Sequence, residues 1–343
     1  MDVFQANALL AKSFPKPALD ILVTGGAGFL GSHLCEYFAS KGHNIIALDN
    51  FHTGRMENLT ALGNGNQLTL IEHDIVNNIP DHLPRFDEIY NLACPASPPR
   101  YQEDPIKTSM INAIGSWNVL QRAQRDNARV FQASTSEVYG DPLIHPQSEK
   151  YHGNVNTVGP RSCYDEGKRF AETLFSDYAT HRGLTVRIAR IFNTYGPRMQ
   201  IDDGRVISNF IVQALMNESI TIYGDGSQTR SFCFVSDLIR GIDLLMHSEG
   251  EVQGPVNLGN PAEATILDLA CKIIQMTGSR SKLIMMPLPT DDPRRRRPDI
   301  SMAEAQLNWT PVVSLHEGLE VSISYFEKML KAQSTSRPMA RAV

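Results

Sequence analysis

Tyr164 and Lys168 stand four positions apart, the spacing that puts two side chains on one face of a helix. A tyrosine with a pKa of about 10 is a poor base at neutral pH. A lysine ammonium beside it, together with a cationic cofactor ring, favours the phenolate. Upstream, residues 134–140 read Ser-Thr-Ser-Glu-Val-Tyr-Gly and close an apolar run. Thr135, Ser136 and Glu137 there offer two hydroxyls and a carboxylate. Ligands of open parallel sheets bind at the carboxyl ends of strands. This segment and the Tyr164–Lys168 pair are therefore expected in one cleft.

A second group of residues suits a phosphate. Residues 24–31 read Thr-Gly-Gly-Ala-Gly-Phe-Leu-Gly, with Gly25, Gly28 and Gly31 in a GxxGxxG pattern after an apolar run and before helical spacing. Glycines allow a tight turn and close backbone approach, and the free N–H groups of a helix start, here around Phe29 and Leu30, favour anions. Asp49 ends the next apolar run. A carboxylate there accepts hydrogen bonds from a ribose diol and repels a 2′-phosphate, which favours NAD over NADP. Asp74 follows the third run, placed to meet the adenine.

The elements that must carry these groups are legible as apolar runs at 21–24, 44–49, 68–71, 88–92, 130–133 and 186–191. Helical spacing falls at 32–40, 105–126 and 163–181. Alternating strand and helix signals predict an α/β fold, a Rossmann-type doubly wound parallel sheet. After residue 192 the chain turns rich in Gly, Asp and Pro, with shorter helices at 207–216, 235–246 and 266–277. The expected organisation is a flexible leader over 1–18, an NAD-binding domain over 19–191 and a smaller irregular substrate lobe over 192–331. That lobe is partly interleaved with the first domain, and a disordered tail is expected over 332–343.

Composition narrows the classes. Lys and Arg number 32 against 37 Asp and Glu, a net charge of −5, which argues against a nucleic-acid binder. The basic run 294–297 reads instead as a clamp for a diphosphate. The five cysteines are scattered and the ten histidines show no ligand spacing, so no metal is expected and a reducing, cytoplasmic compartment is. No apolar stretch reaches membrane-spanning length.

These motifs, in this order, resemble the extended short-chain dehydrogenases/reductases that act on nucleotide sugars. Residues 93–99 (Ala-Cys-Pro-Ala-Ser-Pro-Pro), 161–169, 189–199, 202–206 and 228–232, with Asp291, Asp292, Pro293 and 298–300, narrow the resemblance to the UDP-glucuronate decarboxylase (UDP-xylose synthase) family, over about residues 20–330. The resemblance implies that Tyr164 takes the sugar 4-OH proton, assisted by Lys168 and Thr135. Ser136, Glu137 and Arg230 then lie at the reacting sugar. It places Asn50, Thr53, Gly54, Ile75, Leu92, Tyr164, Lys168, Thr194 and Arg205 at NAD, beside Phe29, Leu30, the glycines, Asp49 and Asp74. It places Pro98, Lys107, Asn118, Arg161, Asn193, Asn209, Tyr223, Gln228 and Arg296 at UDP-glucuronate. It also implies a homodimer paired through the two long helices.

The chemistry explains the residue types. A C5 carboxylate leaves as CO₂ once C4 is a ketone, because the electrons then flow into an enolate; re-reduction gives UDP-xylose. Related dehydratases carry an Asp acid where this chain has Ser136, and simple 4-epimerases usually lack the Glu137 carboxylate. One position departs from the family: Met110 stands where a lysine is usual, and that position is expected near the substrate, with Lys107 as the only local substitute. The rivals are a UDP-glucuronate 4-epimerase, a decarboxylase that stops at the 4-keto pentose, and a non-catalytic NAD-binding scaffold.

Overall fold

The computed structural model describes residues 17–60, 67–250, 254–288 and 295–336, with side chains to residue 334. Strands β1 (Asp20–Thr24), β2 (Asn44–Asp49), β3 (Leu68–Glu72), β4 (Glu88–Asn91), β5 (Arg129–Thr135) and β6 (Val186–Ile191) match the six apolar runs. Between them run α1 (Phe29–Ser40), α2 (Pro105–Met110), α3 (Ser116–Asp126) and α4 (Ser162–Arg182). The C-terminal half adds β7 (Thr194–Tyr195), α5 (Val206–Leu215), β8 (Ile220–Tyr223), β9 (Thr229–Ser231), β10 (Cys233–Phe234) and α6 (Val235–Met246). After these come β11 (Pro255–Leu258), β12 (Glu263–Thr265), α7 (Ile266–Thr277), β13 (Leu283–Met286), β14 (Arg295–Arg296), α8 (Ser301–Leu307) and α9 (Leu315–Ser336).

The main sheet has seven strands in the order β11-β6-β5-β4-β1-β2-β3, all parallel. The order reverses between β1 and β4, the crevice where such sheets bind ligands. The core strands read as near-continuous apolar runs because both faces are covered. Ile21, Leu22 and Val23 are fully buried, and Phe38, Tyr90 and Phe131 stack through the sheet with centroids 4.9 and 5.8 Å apart. A polar ladder crosses the switch point. Thr24 Oγ1 donates to Asn91 Oδ1 at 2.7 Å, and Asn91 Nδ2 donates to Gln132 Oε1 at 2.8 Å. These buried groups are satisfied by one another, which pins β1, β4 and β5 in register.

The seventh strand, β11, comes from the part of the chain assigned to the lobe, and α6 packs back on α1 and β6. Two expectations need correction. The helix over 105–126 is interrupted by a π turn at Ile111–Gly115. A Cβ on Gly115 would stand 2.6 Å from Ile75 Cδ1, so the widened turn seats the helix against the loop after β3. The tail is helical through residue 336 as the end of α9, because Leu319, Ile323 and Phe326 bury its inner face. Residues 1–16 of the expected leader, 337–343 of the tail, and Asp291, Asp292, Pro293 and Arg294 lie outside the described residues.

At the edge of the sheet opposite the cleft, His247 lies between two carboxylates. Its Nδ1 is 3.0 Å from Asp243 Oδ1 and its Nε2 is 3.0 Å from Glu88 Oε1. The hydrogen bond to Asp243, and then that to Glu88, raises its pKa from 6.5 to about 10. A pKa raised on folding adds stability that is fully present below pH 6.5 and lost as pH climbs toward 10. Solvent reaches this side chain, so the contribution is modest. His247→Ala is expected to lower Tm at pH 6 and to leave it nearly unchanged at pH 10.5 (roughly, by the same linkage), in thermal melts across that range.

Candidate active site

The cofactor end is built by the glycine turn. Gly25 and Gly26 donate to the Leu48 carbonyl at 2.7 and 3.2 Å, which fixes the turn to β2. Gly25 holds φ +69, and a Cβ on it would stand 2.9 Å from the Ala93 backbone. A Cβ on Gly31 would overlap the Gly25 carbonyl. No side chain caps α1 at Gly28, so its first N–H groups open toward the cavity that Gly28, Phe29, Leu30 and Gly31 line. Asp49 is buried, accepting from Ala27 N at 2.9 Å and Phe51 N at 2.8 Å. Burial raises its pKa against those bonds. Gly54 packs on the Asp49 carboxylate, where a Cβ would stand 2.6 Å from Oδ1.

Asp74 accepts from Asn50 Nδ2 at 2.9 Å and pairs with Lys107 Nζ at 3.4 Å. Burial opposes its charge, but Asn50, the Val76 N–H and Lys107 together hold the carboxyl below its usual range. The donors, the glycine cradle and the buried acceptor at Asp49 fit a dinucleotide lying across the switch point.

One cavity of about 600 Å³ runs from this turn to residues 133–137 at the end of β5. Thr135, Ser136 and Glu137 line it from the end of β5, and Tyr164 and Lys168 line it from α4. Tyr164 is buried, stacked on Tyr101 with centroids 4.8 Å apart at 5°, and hydrogen-bonded to Thr135. Lys168 Nζ donates to the Ala133 carbonyl at 2.9 Å and lies 5.8 Å from the Tyr164 ring centre. Burial dominates and pushes the phenol well above its usual value, while burial lowers the lysine.

Glu137 is held from two sides. Arg161 Nη2 donates to Oε2 at 2.7 Å and Arg296 Nη1 donates to Oε1. Burial opposes the charge, but the Arg296 and Arg161 guanidiniums prevail and lower its pKa to about 2. Arg230 is buried on β9, in register with Arg296 on β14, and lines the same cavity. Arg205 forms a two-bond pair with Asp203, 2.5 and 2.9 Å, and its guanidinium lies 5.6 Å over the Phe29 ring.

Asn50, Thr53, Ile75, Leu92, Pro98, Asn193, Thr194, Asn209, Tyr223 and Gln228 also line the cavity. Three predicted residues stand outside its lining. Asn118 is buried behind it, donating to the Ile75 carbonyl at 2.9 Å. Lys107 pairs with Asp74, and Gly54 packs on the Asp49 carboxylate. Met110 is 43% exposed and is not part of the lining either. Sequence reading missed Tyr101, which lies on a helical turn with no spacing signal. It also missed Asp165, buried and next to Tyr164 in the chain, whose Oδ1 has no hydrogen-bond partner. Burial and the Glu137 charge push its pKa up to about 7.

Residues 21–259 match the family model described as NAD dependent epimerase/dehydratase family. The chain belongs to that family. Within it the chain groups with UDP-glucuronic acid decarboxylases. UDP-glucuronic acid decarboxylase 1 of Danio rerio is 52% identical over 317 residues, 92% of this chain and 75% of that protein. UDP-glucuronic acid decarboxylase 4 of Arabidopsis thaliana is 54% identical over 324 residues, 94% and 72%. Among solved structures, UDP-glucuronic acid 4-epimerase from Bacillus cereus, in complex with UDP-glucuronic acid and NAD, superposes with a TM-score of 0.82. It is 28% identical and covers 91% of this chain and 100% of that one. The dTDP-glucose 4,6-dehydratase of Streptomyces venezuelae with NAD bound gives 0.83 at 26% identity, over 90% and 97%. Membership makes this an NAD-dependent fold built for nucleotide-sugar chemistry.

Proposed function

We propose that this chain is a carboxy-lyase that converts UDP-glucuronate to UDP-xylose through a 4-keto intermediate, with NAD recycled in the cleft. The observation that carries this reading is Glu137 held between Arg161 and Arg296 in the cavity that also receives Tyr164, Thr135 and Arg230. Relatives named for the same activity match more than nine-tenths of the chain.

When bound, NAD supplies the hydride acceptor at C4 and a positive charge beside the phenol. Tyr164 takes the 4-OH proton, and its burial excludes the water that competes for it. Thr135 orients the phenol by its hydrogen bond, and Lys168 is anchored on β5 as the fixed cation of the pair. The guanidiniums of Arg161, Arg296 and Arg230 supply the positive field a sugar carboxylate and a diphosphate require. Glu137 stays ionised between two of them, so the carboxylate of the substrate is not simply trapped as an ion pair and can leave as CO₂. Ser136, buried beside it, cannot protonate a leaving hydroxyl well, which disfavours dehydration.

The partner reading is a homodimer. Ile106, Met110, Ile114, Trp117 and Phe170 expose apolar surface along α2, the π turn, α3 and α4, a face suited to a second copy. Met110 belongs to that face. No described helix is long and apolar enough to cross a membrane. The five cysteines are all free, which suits a reducing, cytoplasmic setting.

Proton NMR of the purified protein with UDP-glucuronate and catalytic NAD tests this. The expected result is UDP-xylose with loss of CO₂. An intact six-carbon sugar inverted at C4 would make it an epimerase, and binding of both ligands without turnover would make it a scaffold.

A further inference from the structure

Segment 197–205 leaves the C-terminal half and touches three separate parts of the N-terminal half. On α1, Arg198 Nη2 donates to Glu36 Oε2 at 2.6 Å, and His33 Nε2 meets the Pro197 carbonyl at 3.0 Å. On the loop after β2, Gln200 Nε2 donates to the Thr53 carbonyl at 2.5 Å. On the helical turn Pro98–Tyr101, Arg100 Nη2 donates to Asp202 Oδ2 at 2.5 Å. The two loops also pack directly, since a Cβ on Gly204, which holds φ +84, would stand 2.6 Å from Pro99 Cγ. The segment ends at Arg205, which lies over Phe29 of the phosphate turn and lines the same cavity as Tyr164. Thr53, Pro99, Arg100, Gln200 and Gly204 line the cavity, whereas Asp202 does not. The bridge therefore follows the cavity from the ribose-binding end to the catalytic tyrosine.

We propose that this bridged segment, fastened by Arg100–Asp202 and Gln200–Thr53, is a clasp that retains the cofactor between oxidation and re-reduction and so determines which product leaves. The proposal rests on the decarboxylase reading above. After oxidation at C4 and loss of CO₂, the 4-OH proton has left, C5 has gained one proton, and the C4 hydride sits on the nicotinamide. Return of that hydride to C4 and a proton to O4 gives the pentose with no net redox change. If the reduced cofactor escapes first, each UDP-glucuronate and NAD⁺ yield one 4-keto pentose, one CO₂ and one NADH, and the electrons still balance. Retention is thus a condition for making xylose. The outer fastening is an ion pair with both side chains partly exposed. Such a pair is weak and screened by salt, which suits a clasp that must also open.

The test uses Asp202→Ala, Asp202→Arg and the exchanged pair Arg100→Asp/Asp202→Arg, with Gln200→Ala as an independent break. Two quantities are read: exchange of bound NAD against labelled NAD without substrate, and the ratio of ketone to xylose by NMR during turnover. The single substitutions are expected to speed exchange about twofold to fivefold, the scale a partly exposed ion pair sets. They are also expected to raise the ketone share, and the exchanged pair is expected to return both toward the parent. Unchanged exchange in both Asp202 variants and in Gln200→Ala, at unchanged Tm, would overturn the clasp, as would a raised ketone share without faster exchange. A parent protein that leaves UDP-glucuronate untouched would defeat the decarboxylase reading instead, and the exchange rates would still judge the clasp.

Discussion

Tyr164→Phe is expected to stop C4 oxidation, and with it both CO₂ release and xylose formation. The substitution deletes one oxygen. It keeps the ring stacked on Tyr101, so the fold and the cavity remain. What is lost is the group that accepts the 4-OH proton. General-base contributions are worth about 10²–10⁴-fold, and oxidation precedes every later step, so the loss appears in all products at once. Nothing at the glycine turn or Asp49 changes, so NAD occupancy is expected to match the parent. Single-turnover assays with a cofactor-binding titration check this. Retained oxidation in the variant would place the base elsewhere.

The second large effect is at Glu137. Removing its carboxylate in Glu137→Ala leaves Arg161 and Arg296, both buried, without the anion they share. Breaking one side of a buried charge cluster costs about 3–5 kcal/mol, and the reacting sugar loses the carboxylate beside it. Turnover is expected to fall by a large factor, with a lower Tm and intact NAD binding, because Glu137 follows β5, four strands along the sheet from Asp74 after β3. Glu137→Gln keeps hydrogen-bonding capacity and removes the charge, so it separates the two effects: activity falls while Tm recovers in part. The pH dependence has a definite sign. A pKa lowered from 4.5 to about 2 gives stability present above pH 4.5 and lost as pH falls through 2. Glu137→Gln is expected to flatten the acid limb of stability across that window. A parallel loss of NAD binding in Glu137→Ala would contradict the placement of this residue.

Local chemistry made much of this protein legible in its sequence. The glycine turn, Asp49 at a strand end and the Tyr164–Lys168 spacing each depend on neighbours a few residues away, and short-range periodicity carries that information. The six strands at 20–191 are apolar runs for the same reason. What only the tertiary structure decided involves partners far apart in the chain. Glu137 meets Arg296 across 159 positions, and no pattern within either segment announces the pairing. The seventh strand reads like its irregular neighbours and becomes part of the sheet because β6 offers it a free parallel edge. Position 110 illustrates the same limit. Spacing predicts its helix, but the outward face on which Met110 stands is set by how that helix packs in three dimensions. The burial that raises the Tyr164 phenol likewise comes from the stacked Tyr101 and the surrounding core, since desolvation is a property of packed volume and not of sequence spacing.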